Sequence, residues 1–167
     1  MTTLKIHNPA SGALLAELPT DDADSIVAKA RCARAAQPAW AARPLAERIA
    51  IVQRFRDAVL AEREALATTL TQEVGKPITQ SRNELNGLLP RLDFFLAEAT
   101  RALADENVFD DGAMRERIAH VPLGLVANIS AWNYPWFVGA NVFIPALISG
   151  NAVLYKPSEL ASLTGLE

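Results

Sequence analysis

Val121–Glu159 reads VPLGLVANISAWNYPWFVGANVFIPALISGNAVLYKPSE, in order a strand, a tight turn, a helix, a turn and a second strand. Leu125–Ile129 is a short, mostly apolar run entered through Pro122 and Gly124, the pattern of a buried strand. Pro135 falls where a first-turn helical proline is tolerated, because the N–H it lacks would have had no partner there. From Trp136 to Ile148 the apolar residues go all the way round, which predicts a helix with no wet face. Pro145 sits in its last turn and Gly150 supplies the stop. Ala152–Tyr155 is the second strand. Adjacent buried strands joined by a helix are expected to be parallel. Ligands of such sheets bind beyond the carboxyl ends of the strands. Trp132-Asn133 and Lys156-Pro157-Ser158-Glu159 each follow a carboxyl end, so they are candidates for one shared site.

The chemistry of the two clusters follows from their side chains. Asn133 carries an uncharged amide with two N–H donors. At a strand-to-helix turn, with the backbone N–H groups of the helix start nearby, it suits an oxyanion forming on a carbonyl substrate. Lys156 and Glu159 are three apart. A carboxylate that accepts from ribose hydroxyls, beside an ammonium that donates, suits an adenosine ribose or phosphate. Each cluster also has a plain structural explanation. Asn before Tyr-Pro is ordinary turn chemistry, and Lys-Pro-Ser-Glu is a helix entry with Ser158 or a neighbour as cap. Spacing alone does not choose.

Taken together the motifs are specific. WNYP, the Lys of KPSE twenty-three positions after its Asn, and the approach G-N-x-V-x-x-K-P resemble the NAD(P)-dependent aldehyde dehydrogenase superfamily. The upstream EVGKP (Glu73–Pro77) and P-L-G-L-V (Pro122–Val126) fall in the family's order. The resemblance covers essentially all of residues 1–167, but only the first third or so of a family member. It implies an α/β fold: N-terminal helices plus the first β-α-β unit of a Rossmann-like nucleotide-binding domain, incomplete. It implies that Asn133 is the oxyanion-stabilising amide. Ile129, Ser130, Ala131 and Trp132 would line the cofactor groove, and Lys156 and Glu159 would hold the adenosine ribose with Ser158 beside them. The cofactor would be NAD or NADP. A carboxylate at Glu159 disfavours a 2′-phosphate, yet KPSE occurs with both. The substrate would be a small-molecule aldehyde, oxidised to a carboxylic acid through a cysteine thioester. The nucleophilic cysteine, the general-base glutamate and the Gly-rich turn would all lie after Glu167. The expectation is therefore a truncated member, inactive alone. The alternative is a non-catalytic interaction module, docking onto a full-length relative or a separately encoded remainder.

The rest of the chain is consistent with that outline. With 167 residues and 50% hydrophobic content it is long enough to bury one ordinary core. Sixteen basic against nineteen acidic residues, with no basic run, leave no electrostatic footprint for nucleic acid or an anionic membrane. The apolar run near Trp136–Ile148 is too short to span a bilayer, and the chain does not open with a charged start and an apolar signal segment. A single cysteine rules out an internal disulfide framework. The expected location is the cytoplasm.

Leu4–Ile6 and Ala13–Leu18 flank Asn8-Pro9-Ala10-Ser11-Gly12 and predict a hairpin. Thr20-Asp21-Asp22 offers caps for a helix to about Ala36 with Ile26, Ala30 and Ala33 inward, ended by Pro38, and Trp40 at the corner. Pro44 opens a second helix whose Leu45, Ile49, Val52, Phe55 and Val59 recur at helical spacing, with Arg48, Arg54 and Arg56 on the wet side. A third, near Glu62–Val74, carries Leu66, Leu70 and Val74 and stops at Gly75. A fourth starts at Pro77, runs to about Leu103 and meets Pro90, which predicts a kink or break. The charges on these helices read as solvated faces. Residues 104–120 predict an edge hairpin turning at Asp110-Asp111-Gly112. The resemblance implies that this hairpin helps form a homo-oligomer; the alternation alone allows an ordinary surface hairpin. Cys32 reads as a small packing residue rather than the nucleophile, His7 and His120 are too isolated for a metal site, and Asn128-Ile129-Ser130 is a glycosylation pattern on a buried strand.

Overall fold

A computed structural model describes residues 2–167. The chain opens with an antiparallel hairpin, β1 (Thr3–His7) and β2 (Leu14–Pro19). The Asn8 side chain closes its turn by accepting from the Ala10 and Ser11 N–H groups at 2.9 and 3.2 Å. Four helices follow: α1 (Ala23–Ala41), α2 (Leu45–Ala61), α3 (Arg63–Val74) and α4 (Ile78–Ala102). A second hairpin, β3 (Glu106–Asp110) and β4 (Arg115–Ile118), precedes the β5 (Leu125–Ile129), α5 (Pro135–Ile148), β6 (Ala152–Lys156) unit. β5 and β6 pair in parallel, with Leu125 opposite Ala152 and Ile129 opposite Lys156.

The core lies where α2, α3 and α4 meet α5. Leu70, Leu85, Leu88 and Leu92 are fully buried, and Trp136, Ala140, Ile144 and Ile148 of α5 join them. Each such leucine contributes about 1.5–3 kcal/mol by leaving water. Leu45, Ile49 and Phe55 pack around Val52 and Val59 as the α2 periodicity predicts. α5 is buried or half-buried along its length, except at Val142, which is 37% exposed.

A buried helix must still satisfy the N–H and C=O groups at its ends. α5 does so with side chains from other elements. Trp40 Nε1 donates to the Leu147 carbonyl at 2.9 Å, Gln37 to that of Gly150 at 2.9 Å, and Arg48 to that of Ile148 at 2.9 Å. Arg48 also donates to the Ala41 and Arg43 carbonyls at the end of α1. Arg48 is therefore a half-buried clamp and not a wet-side charge. Arg56 departs from the same expectation: it is half-buried against Asp93 of α4, with two N–H···O contacts.

Other expectations are corrected by the structure. α1 continues through Pro38 to Ala41, and of the kink or break expected at Pro90 the break does not occur, since α4 runs on to Ala102. Both prolines lie on exposed faces, as do Arg34 and Asn86 four residues earlier, so water can take the carbonyls that lose their helical donor. Ile26 is 47% exposed and does not join Ala30 and Ala33 on the inner side of α1. Cys32 is exposed rather than packed. β5 is not covered on both faces: Ala127 and Ile129 are exposed. Among the described residues, no helix is long and apolar enough to cross a membrane.

Candidate functional site

β5 and β6 end together. Ile129 pairs with Lys156, and the Ser130 N–H donates to the Lys156 carbonyl at 3.0 Å. The segment after β5 and the Lys156–Glu159 segment therefore share one edge of the sheet, as their sequence positions predicted. Ile129 is 78% exposed and Trp132 52% exposed, so this edge presents an open, partly apolar strip. Ser130 is buried at the end of β5.

At the other end of the strip Lys156 Nζ lies 3.0 Å from Glu159 Oε2, and both side chains are exposed. Backbone hydrogen bonding at Glu159, followed by the Lys156 ammonium, holds its carboxyl below the usual carboxylate range. Glu159 is thus an acceptor at neutral pH and Lys156 supplies donors, a set that fits ribose hydroxyls and a nearby phosphate. Ser158 is buried, and its hydroxyl accepts from the Leu160 N–H at 3.2 Å, so it shapes the turn behind the pair. Tyr155, half-buried on β6, has its phenol pushed up by burial. It fits because Gly139 faces it: a Cβ there would lie 2.8 Å from the Tyr155 hydroxyl.

Asn133 is exposed on the turn between β5 and α5. Its own carbonyl accepts from Lys76 Nζ at 2.6 Å. Lys76 also lies 2.7 Å from Glu84 Oε2 and stands over the Tyr134 ring at 4.5 Å. The other Glu84 oxygen accepts from the Trp136 and Phe137 N–H groups at 2.9 and 3.3 Å. Lys76 and Glu84 were not singled out from the sequence. The signal for Glu84 was available: Ser81, Glu84, Leu88 and Leu92 lie on one stripe of α4, where a carboxylate has no solvated face to occupy.

Glu73 shows the same pattern, following Leu66 and Leu70 on α3. It is buried and accepts from Leu163 N, Thr164 N and Thr164 Oγ1 at 2.7–2.8 Å. Asn128 is buried, donating to the Gly139 carbonyl at 3.0 Å, so it is a structural residue and no glycosylation acceptor. A hollow of about 290 Å³ lies on the α5 side of β6, lined largely by Phe55, Trp136, Phe143, Leu147, Val153 and Tyr155. Its lining includes Pro135 and Tyr155, which adjoin the two clusters, but not Asn133, Lys156 or Glu159.

The parallel β5–α5–β6 crossover, with helices packed against it, defines a mixed α/β protein. The model of the aldehyde dehydrogenase family matches residues 1–167, and the chain belongs to that family. It is 36% identical over 167 residues to 3,6-anhydro-alpha-L-galactose dehydrogenase of Streptomyces coelicolor, covering 98% of this chain and 33% of that protein. The crystal structure of an aldehyde dehydrogenase from Brucella melitensis biovar abortus superposes with a TM-score of 0.93 at 28% identity, covering 99% of this chain and 34% of that one. An NADP-dependent glyceraldehyde-3-phosphate dehydrogenase from Bacillus halodurans, complexed with NADP, gives 0.88 at 28% identity over 98% of this chain and 36% of that one. The chain thus spans about a third of the length of the relatives it matches.

Proposed function

We propose that residues 1–167 are the part of an NAD(P)-dependent aldehyde dehydrogenase that carries the oxyanion amide and the adenosine end of the cofactor site. The observation that carries this is the shared carboxyl edge of β5 and β6, which sets the segment after β5 beside the exposed Lys156–Glu159 pair. Glu159 accepts from the ribose hydroxyls and Lys156 donates to them or to an adjacent phosphate. Ile129, Ser130, Ala131 and Trp132 line the groove, with Ser158 behind the ribose pair. Its cofactor is NAD or NADP, and the chemistry a bound nicotinamide supplies is hydride acceptance. Asn133 donates to the carbonyl oxygen of an aldehyde as negative charge develops on it, which stabilises that charge without reorganisation. Cys32, exposed on α1, takes no part. The oxidised product is a carboxylic acid, and the setting is the cytoplasm. The β3–β4 hairpin, with every strand residue exposed, supports pairing between subunits of a homo-oligomer.

The test joins this chain to the remaining two thirds of the Streptomyces coelicolor relative. The chimera should reduce NAD+ or NADP+ in an aldehyde-dependent way. Asn133→Ala should lower kcat by about 10²–10³-fold, while Lys156→Ala and Glu159→Ala should raise the cofactor KM. An Asn133→Ala chimera that turns over at the parental rate sinks the assignment.

The β5–β6 sheet, whose two edges are unpaired among the described residues, favours a second reading. In it the chain is a docking module that pairs with a full-length relative or a separately encoded remainder. Co-purification of a stoichiometric complex, with no dehydrogenase activity restored, supports that reading over the first.

A further inference from the structure

We propose that Lys76 and Glu84 are positioning residues that fix the turn presenting Asn133, an inference that rests on reading Asn133 as the oxyanion amide. The turn has no local means of holding itself. Tyr134, at the helix N-cap, makes no side-chain cap, and Pro135 contributes no N–H. What holds it comes from α4 and from the residue just before Pro77. One oxygen of Glu84 takes the Trp136 and Phe137 N–H groups, and the other takes Lys76 Nζ at 2.7 Å. Lys76 then reaches the Asn133 carbonyl at 2.6 Å and covers the Tyr134 ring.

The turn is therefore held on both sides of Pro135. Fixing the Asn133 carbonyl fixes the peptide plane that follows Asn133, and so limits where its side chain can start. A neutral cap would have satisfied the two N–H groups. The ammonium adds the link across to Asn133, and its position in the chain explains why it is there. Gly75, in the left-handed region at φ 80°, turns the chain sharply between α3 and α4, so that Lys76 faces the α5 start. The Glu84 side chain is fully buried and that of Lys76 only 11% exposed, so neither is a surface charge with freedom to move. Losing one partner strands the other in a dry site, which makes the arrangement all-or-none.

Residue-resolved hydrogen exchange on the 167-residue chain at low protein concentration tests this first in the wild type. The Trp136 and Phe137 amides should exchange with the slow amides of α4. Exchange at the unprotected rate overturns the proposal whatever any variant does. Lys76→Met should then speed both amides about tenfold or more, with the Leu88 and Leu92 amides unchanged, and Lys76→Arg should recover most of the protection. In the active chimera Lys76→Met should lower kcat with the cofactor KM unchanged, again recovered by Lys76→Arg. A Lys76→Met protein that matches its parent in exchange and in kcat overturns the proposal. Parental turnover in the Asn133→Ala chimera overturns the role of Asn133 instead and leaves the exchange result standing, so the two readings fail separately.

Discussion

Glu73 is a carboxylate with no water to face. Three donors from residues 163 and 164 converge on it, ninety positions along the chain. Those bonds tie the segment after β6 to α3. Removing the acceptor leaves buried N–H groups with nothing to replace it, and hydrogen bonds to a charged group contribute about 1.5–3 kcal/mol each, not additively. Glu73→Ala should therefore lower the unfolding free energy by about 2–4 kcal/mol, and Glu73→Gln, which keeps one acceptor, by less. Urea denaturation of the three proteins checks the order, and an alanine variant as stable as the parent refutes it. Sequence reading named Asn133, Lys156 and Glu159 because each follows a strand and carries an evident donor or acceptor. It did not separate Glu73, Glu84 and Lys76 from solvated charges, because their partners come from distant segments. Residue type and local spacing cannot supply such a partner. What they can supply is a contradiction, a carboxylate on an apolar stripe.

At the scale of elements, pattern and capping chemistry were enough for most of the chain. The Asp22 carboxylate accepts from Ser25 N at 2.9 Å while the Ser25 hydroxyl bonds back to Asp22 N, a complete capping box at the start of α1. The Ser25 N–H, with the Ser25 hydroxyl next, holds the Asp22 carboxyl below its ordinary value. The folded pKa is lower than the unfolded one, so the cap's charge-dependent stabilisation is complete above about pH 4 and is lost as pH falls through the folded value. Asp22→Asn retains an acceptor and has no charge to lose. Its stability should therefore fall less steeply than the parent's on acidification below about pH 4, as followed by circular dichroism in urea. Identical slopes would remove Asp22 from the acid transition. The two prolines show where element-level reading stops. Their effect depends on whether water can reach the carbonyl four residues back, and that is settled by which face the finished packing leaves exposed.

For the whole molecule, the resemblance anticipated a β-α-β unit at the end of a helical layer, and the parallel pairing of β5 with β6 agrees. The open side of that unit was harder to read. An apolar strand sequence says that a strand will be covered, not by what. In this chain α1 and α5 pack against β5 and β6, yet among the described residues the sheet has two strands and two unpaired edges. Val121, Leu123 and Ile129 are 79%, 88% and 78% exposed, and Val108, Met114 and Ile118 of the hairpin region are all more than half exposed. Exposed apolar side chains beside bare backbone donors and acceptors are the conditions for edge-to-edge association. The 167-residue chain on its own should therefore self-associate with rising concentration in sedimentation velocity and light scattering. Two routes can be distinguished. If the hairpin is the contact, Val108→Lys with Ile118→Lys should return the chain toward monomer. If the β5–β6 edges are the contact, those lysines should change little and Ile129→Lys should be the effective change. A chain that stays monomeric and unfolds cooperatively at all concentrations would mean that neither surface needs a partner, and the subunit-pairing role of the hairpin would fall with it.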